Sequence, residues 1–339
     1  MTSAADKTIA VLGAGSWGTA LAILLSSNGH RVRLWGHLRE EVEALGEARE
    51  NRHYLPGIGF PDSLTAEADL ARALQGASEI LIAVPSHAFH AVTRSIRPML
   101  QDAPGIAWAT KGLEPGSQRL LSEVAAEQLP GHELAVLSGP TFAREVAQGL
   151  PTAITVAATT PEHAERIAGL LHAPWFRAYT SDDMIGVQVG GASKNVLAIA
   201  AGIADGLGFG ANTRAALITR GLAEIMRLGL QLGGKPETFM GLAGLGDLLL
   251  TCTDDQSRNR RMGLALAEGL SLEAGLARIG QEVEGVHAAQ EIHALAKRQG
   301  VEMPISEQVY EVLYTGLEPE TAVRNLLERS QKAEGIFTH

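Results

Sequence analysis

Lys194 is the one ionisable side chain between Asp183 and Asp205, within MIGVQVGGASKNVLAIAAGIA (184–204). The run has helical character and no polar face, the pattern of a helix buried in a protein or a membrane. Even a neutral polar group costs on the order of 2–7 kcal/mol in an apolar setting, so the ammonium must be paired, neutral or lining a cavity. A lysine snorkelling from the helix rim is the ordinary alternative, but glycines and alanines within a turn on both sides leave it little room. A buried active-site lysine is the sharper reading. Further on, GLAGLGD delivers one carboxylate, Asp247, from a flexible turn. Then TCTDDQSRNRR (251–261) puts Ser257, Arg258, Asn259, Arg260 and Arg261 in a row. Charge runs are usually solvated faces, yet guanidinium forks beside neutral donors are what a phosphate takes.

The elements that must position these groups fall into two halves. TIAVL (8–12) reads as a buried strand; Gly13-Ala14-Gly15-Ser16-Trp17-Gly18 follows, then an apolar helix to Ser27 and the strand RVRLW (31–35). A lone GxGxxG is weak, but strand–GxGxxG–helix–strand within thirty residues is a dinucleotide-binding pattern. Gly13 permits the turn, Gly15 lets backbone approach a pyrophosphate, and Gly18 lets helix and strand pack. The amides of Ser16 and Trp17 then face phosphate from a helix N-terminus. Where an NAD-specific unit places an acid after its second strand, this chain has Gly36-His37-Leu38-Arg39. That favours NADP(H), with NAD(H) as the alternative.

Strands at 80–84, 106–110, 134–138, 152–157 and 175–180 alternate with helices, including one capped by Ser86. This series predicts a mostly parallel, Rossmann-type doubly wound α/β sheet. Ligands sit beyond the C-terminal strand ends of such sheets, which makes Lys111 and Thr141 candidates by position, against an exposed loop lysine and a helix-capping threonine. Past Thr180 only helical spacing remains, so the expected division is 1–183, a nucleotide-binding domain, and 184–339, an all-α domain. The acidic run Gln281–Gly285 has no assignable role from pattern alone.

The net charge of −10 argues against nonspecific nucleic-acid or anionic-membrane binding, while leaving room for a small anion in a local cationic pocket. One cysteine, Cys252, excludes an internal disulfide and a cysteine-rich zinc site; no HExxH occurs, and no metal is expected. MTSAADK lacks the basic-then-apolar pattern of an export signal. Lys194, Asn195, Gln188 and the glycines of 184–204 count against a membrane span. A cytoplasmic protein is expected.

Taken in order, GAGSWGTALA, LWGH, VPSH, WATKGLE, SGPTFAREVAQGLPTA, GGASKNVLAIAAGIADGLGFGANTRAALITRGLAE, GLAGLGDLLLTCTDDQSRNRR, VEG and GVEMPI resemble the bacterial NAD(P)-dependent glycerol-3-phosphate dehydrogenases. The match runs from about residue 8 to beyond residue 310. The resemblance implies a helical domain like the C-terminal one of 6-phosphogluconate dehydrogenase. It also implies reversible reduction of dihydroxyacetone phosphate to sn-glycerol 3-phosphate for phospholipid synthesis, and a homodimer. By the same resemblance Lys194 is the proton donor/acceptor; Lys111, Gly139, Thr141, Asp247, Ser257, Arg258 and Asn259 bind substrate. Gly15, Ser16, Trp17, His37, Lys111, Ala143, Arg258, Glu282 and Glu284 contact cofactor. Glu282 stands where an apolar residue is expected, so its contact is assigned to backbone. Asp247 either orients Lys194 or binds a substrate hydroxyl. Rival readings are a related hydroxyacid dehydrogenase, whose substrate carries a carboxylate, and a non-catalytic NADP(H) sensor, which has no use for a buried lysine.

Overall fold

The computed structural model describes residues 7–100 and 103–330. The segment MTSAAD, part of the stretch searched for an export signal, lies outside them. The chain divides into two compact units: 1–110 with 121–184, and 111–120 with 185–339.

The first unit contains β1 (Thr8–Leu12), α1 (Ser16–Ser27), β2 (Arg31–Trp35), α2 (Arg39–Ala48), β3 (Leu64–Glu67), α3 (Leu70–Leu74), β4 (Glu79–Ile82) and α4 (Ser86–Ile96). It continues with β5 (Gly105–Trp108), α5 (Leu121–Gln128), β6 (Leu134–Ser138), α6 (Ala143–Ala147), β7 (Thr152–Ala158), α7 (Pro161–Leu171) and β8 (Phe176–Ser181). The sheet order is β3-β2-β1-β4-β5-β6-β7-β8, parallel at every joint except β6–β7. β1, β4 and β6 are buried almost throughout because helices cover both faces. The order reverses at β1/β4, the switch point where doubly wound sheets open a ligand crevice. Ser86 is not the cap expected of it: Pro85 holds the N-cap position of α4, with no side-chain cap bond.

The second unit is helical: α8 (Met184–Gly206), α9 (Ala211–Gln231), α10 (Pro236–Met240), a π-helical turn (Leu242–Gly246), α11 (Asp247–Thr253), α12 (Arg258–Ala267) and α13 (Leu272–Ile279), followed by α14 (Glu284–Gln299), α15 (Pro304–Tyr314) and α16 (Pro319–Leu327). α8 is long and apolar enough to cross a membrane by length and composition, yet every residue from Gly186 to Ala204 is buried in the unit. Its side chains form a core with Ile225, Phe239, Leu248, Met262 and Ile292. Leu113 and Leu120 belong to that core too. The segment 111–120, assigned from sequence to the first domain, thus packs with the second. Its two leucines supply the reason: their apolar surface is buried among the helices.

Candidate active site

Within the helical unit three charged groups converge. α8 carries Lys194, which is 6% exposed, and α11 begins at Asp247, which is 1% exposed. Lys194 Nζ donates to Asp247 Oδ1 at 2.5 Å and to Thr251 Oγ1 at 2.8 Å. Lys111 Nζ donates to the other oxygen, Asp247 Oδ2, at 2.7 Å. One carboxylate therefore bridges two ammonium groups, and Thr251 fixes the donor direction of Lys194 while giving its own hydrogen to the Asp247 carbonyl at 2.6 Å. The local fold explains this convergence. GLAGLG, expected as a flexible turn, is an ordered π-helical turn; such turns recur at functional sites. A Cβ on Gly190 would lie 2.5 Å from the Ala243 carbonyl oxygen, so only glycine lets α8 approach the turn this closely.

Burial draws the Lys194 ammonium down from 10.5 to about 8, with Asp247 opposing that and Lys111 reinforcing it. Burial works against the Asp247 charge as well, but the two lysines outweigh it and hold the carboxyl below its ordinary 3.8. The cluster is poised to hold or release one proton at about pH 8.

A polar chain adjoins it. Asn259 Nδ2 donates to Asn195 Oδ1 at 2.9 Å, Asn195 Nδ2 to Glu284 Oε2 at 3.3 Å, and the Gly285 amide to Asn259 Oδ1 at 2.8 Å. Glu284 thus begins a real helix, α14, where the sequence had offered only a short acidic run. Ser257 caps α12 by accepting from the Arg260 amide at 3.2 Å, leaving its hydroxyl hydrogen to give. Arg260 is taken up by Asp205 at 2.7 Å and Asp255 at 2.8 Å, so it braces the unit instead of waiting for an anion. Arg258 is half-buried, and Glu282 lies 3.9 Å from His287. Thr251 and Asn195 were not singled out from sequence. A threonine and an asparagine on helices carry no pattern of their own, although Asn195 adjoins the conspicuous lysine.

In the sheet unit the GxGxxG loop joins β1 to α1 at the switch point. A Cβ on Gly18 would meet the Gly13 carbonyl oxygen at 1.9 Å, whereas one on Gly15 meets nothing within 4 Å. Tight packing at Gly18 beside open space at Gly15 fits a backbone cradle for a pyrophosphate. His37 and Arg39 are exposed beyond β2, Arg39 lying 3.4 Å from Glu43. Thr141 does not cap a helix: its hydroxyl donates to the Gly139 carbonyl at 3.1 Å, and Phe142 is the N-cap of α6, which starts at Ala143. A cavity of about 1060 Å³ elsewhere in the helical unit, lined by Leu217, Glu224, Arg227, Ile305 and Leu326 among others, contains neither Lys194 nor Asp247. Lys111 does not line it either, so the Lys111–Asp247–Lys194 cluster remains the candidate site. Among the described residues no group of three His, Cys, Asp or Glu side chains could hold a metal ion.

A switch-point nucleotide cradle in one unit and a buried Lys–Asp–Lys cluster in the other are the marks of a nicotinamide-dependent oxidoreductase. Residues 8–164 match the model of the NAD-dependent glycerol-3-phosphate dehydrogenase N-terminus, and residues 183–324 that of its C-terminus. The chain is 58% identical over 334 residues to the glycerol-3-phosphate dehydrogenase [NAD(P)+] of Pseudoalteromonas translucida, covering 98% of this chain and all of that one. It is 60% identical over 328 residues to that of Methylococcus capsulatus, covering 96% and 98%. The solved glycerol-3-phosphate dehydrogenase of Coxiella burnetii superimposes with a TM-score of 0.93 at 50% identity, covering 96% and 99%. The chain belongs to the NAD(P)-dependent glycerol-3-phosphate dehydrogenase family, oxidoreductases acting on a CH–OH donor.

Proposed function

We propose that the chain interconverts dihydroxyacetone phosphate and sn-glycerol 3-phosphate with NADP(H) in preference to NAD(H), supplying glycerol phosphate for phospholipid synthesis in the cytoplasm as a homodimer. The observation that carries the mechanism is the single carboxylate bridging two lysines. The nicotinamide cofactor, when bound, supplies the hydride that reaches C2 of the ketone. The oxygen at C2 then becomes an alkoxide that needs a proton and nearby positive charge. Lys194 gives the proton from Nζ, and Lys111 adds the electrostatic stabilisation. Asp247 holds both ammonium groups in place, so orienting Lys194 is the role that its two hydrogen bonds favour. In the reverse direction neutral Lys194 takes the proton of the C2 hydroxyl.

Ser257, Arg258 and Asn259, with Gly139 and Thr141, are the substrate-binding set, the guanidinium and hydroxyl serving the phosphate. Gly15, Ser16 and Trp17 hold the pyrophosphate, and His37, in a stretch 36–39 that carries no acid directly after β2, serves the 2′-phosphate of NADP(H). Ala143, Glu282 and Glu284, with Lys111 and Arg258, complete the cofactor set; no metal is required. Lys194→Ala is expected to abolish turnover while NADPH binding, followed by fluorescence, stays near that of the unmutated protein. Retention of more than about a tenth of kcat would refute the assignment, since a positioned acid contributes about 10²–10⁴-fold. A kcat/KM for NADH above that for NADPH would refute the cofactor preference.

A further inference from the structure

Residues 111–120 follow a sheet strand, yet the tip of the segment, Gly116 to Gln118, is bonded to α14. The Gly116 amide donates to both carboxylate oxygens of Glu291 at 3.2 Å, and Gln118 Nε2 donates to Oε2 at 3.0 Å. About two turns further along the same helix, Arg298 donates to the Ser117 carbonyl at 2.8 Å, to Gln118 Oε1 at 3.0 Å and to the Gln118 carbonyl at 3.3 Å. Gln118, gripped from both sides, holds a φ of +55°, a left-handed conformation that costs a non-glycine residue energy and persists only where its surroundings impose it. The base of the loop is closed by a Leu113–Leu120 bridge and by Glu114, which accepts from Arg119 Nε at 2.7 Å. Lys111 lies at that base. Glu291 itself is 8% exposed, a carboxylate buried with this loop as its partner.

We propose that Glu291 and Arg298 are positioning residues: α14 clamps the loop 111–120 and thereby fixes the Lys111 ammonium on Asp247. The inference rests on the reading that Lys111 and Lys194 serve the reaction. The same helix begins at Glu284 and Gly285, which are bonded to Asn195 and Asn259, so one rigid rod sets both the polar chain beside Lys194 and the loop that carries Lys111. The charged groups facing Lys194 are Asp247 from α11, Lys111 from the loop and Glu284 from α14. Of these, Lys111 alone lowers its proton affinity, so a loosened clamp has a signature: Lys194 titrates at higher pH.

The test compares Glu291→Ala, Glu291→Gln, Arg298→Ala, Lys111→Met and the double variant Glu291→Ala/Lys111→Met in the full chain. Ketone reduction is followed from about pH 6 to about pH 10, and Lys194 is titrated in the free protein by lysine-selective carbon NMR. Small displacements of a positioned group cost up to about 10²-fold in rate. Both alanine variants should therefore lose about tenfold or more in kcat and move the basic limb, and the NMR titration, to higher pH. Glu291→Gln, which keeps an acceptor for the Gly116 amide, should recover most of the loss. Added to Lys111→Met, Glu291→Ala should change neither quantity further, the behaviour of residues acting through one another. The clamp is refuted if Lys111→Met shifts the titration while Arg298→Ala and Glu291→Gln behave as wild type and Glu291→Ala either does likewise or fails to fold. It is equally refuted if Glu291→Ala is as damaging with Lys111→Met as without it. If Lys111→Met itself leaves rate and titration unchanged, the catalytic reading of Lys111 fails first and takes the clamp with it.

Discussion

Lys194 releases its proton at about 8, drawn down from 10.5 by burial, and this sets the direction of its pH dependence. With Lys194 as the proposed proton donor, kcat/KM for the ketone should hold below that value and fall about tenfold per pH unit above it, while oxidation of the alcohol rises through the same window. Initial rates in both directions check this; a reduction profile flat to pH 10 would sink it. Asp247→Asn should move the limb the opposite way from Lys111→Met, because it removes the anion that sustains the Lys194 charge and leaves two cations facing each other. At this scale the sequence was partly legible. A lone lysine in an apolar helix announces itself through the cost of burying it, whereas Thr251, which receives one of its hydrogen bonds, is an ordinary helical threonine until the three-dimensional neighbour is known.

Between residues and units stand elements whose ends are set by distant groups. The π-helical turn before α11 depends on Gly190, and Gly190→Ala would drive a methyl to 2.5 Å from the Ala243 oxygen. Overpacking of this kind costs about 1–3 kcal/mol; a lower midpoint in urea with a disproportionate loss of kcat is expected, since the displaced turn carries Asp247. α15 has no capping side chain of its own. Glu224 of α9 takes that part, accepting from the Ile305 amide at 2.7 Å and the Ser306 amide at 3.2 Å. Burial raises its carboxyl from 4.5 to about 7 against the pull of those amides. An acid whose folded value is raised binds its proton more tightly when folded, so stability should decline as pH climbs from about 4.5 to about 7 and level off above. Urea unfolding of Glu224→Gln beside wild type across that window measures the slope, which the variant should lack. Patterns resolved the buried strands because apolar runs bounded by turns are unambiguous there. They missed β3, an edge strand with only Leu64 buried, and α2, whose ten residues bury only Val42.

For the whole chain, the boundary drawn from sequence at 183/184 describes composition well but not connectivity. Strand signals stop there, and nothing local in KGLEPGSQRL (111–120) says that it leaves the sheet unit, because its partners Glu291 and Arg298 lie more than a hundred residues away. Leu113→Ala tests the assignment: Leu113 is 2% exposed within the helical core, so its truncation should cost about 2–5 kcal/mol. Hydrogen exchange should show the loss in α8 and α14 more than in β1 or β4; uniform protection of the helices would contradict the packing. The excursion of 111–120 also imposes an order in time. Gly116 and Glu291 are separated by 175 residues of chain. At about 5–20 residues per second of synthesis, the loop bearing Lys111 leaves the ribosome roughly 9–35 s before the helix that receives it. For most of that interval Lys111 has neither Asp247, 136 residues further on, nor α14 to rest on, while the β1–α1 loop has long been made. The pyrophosphate cradle and the lysine cluster would then be completed separately during translation, the cluster last.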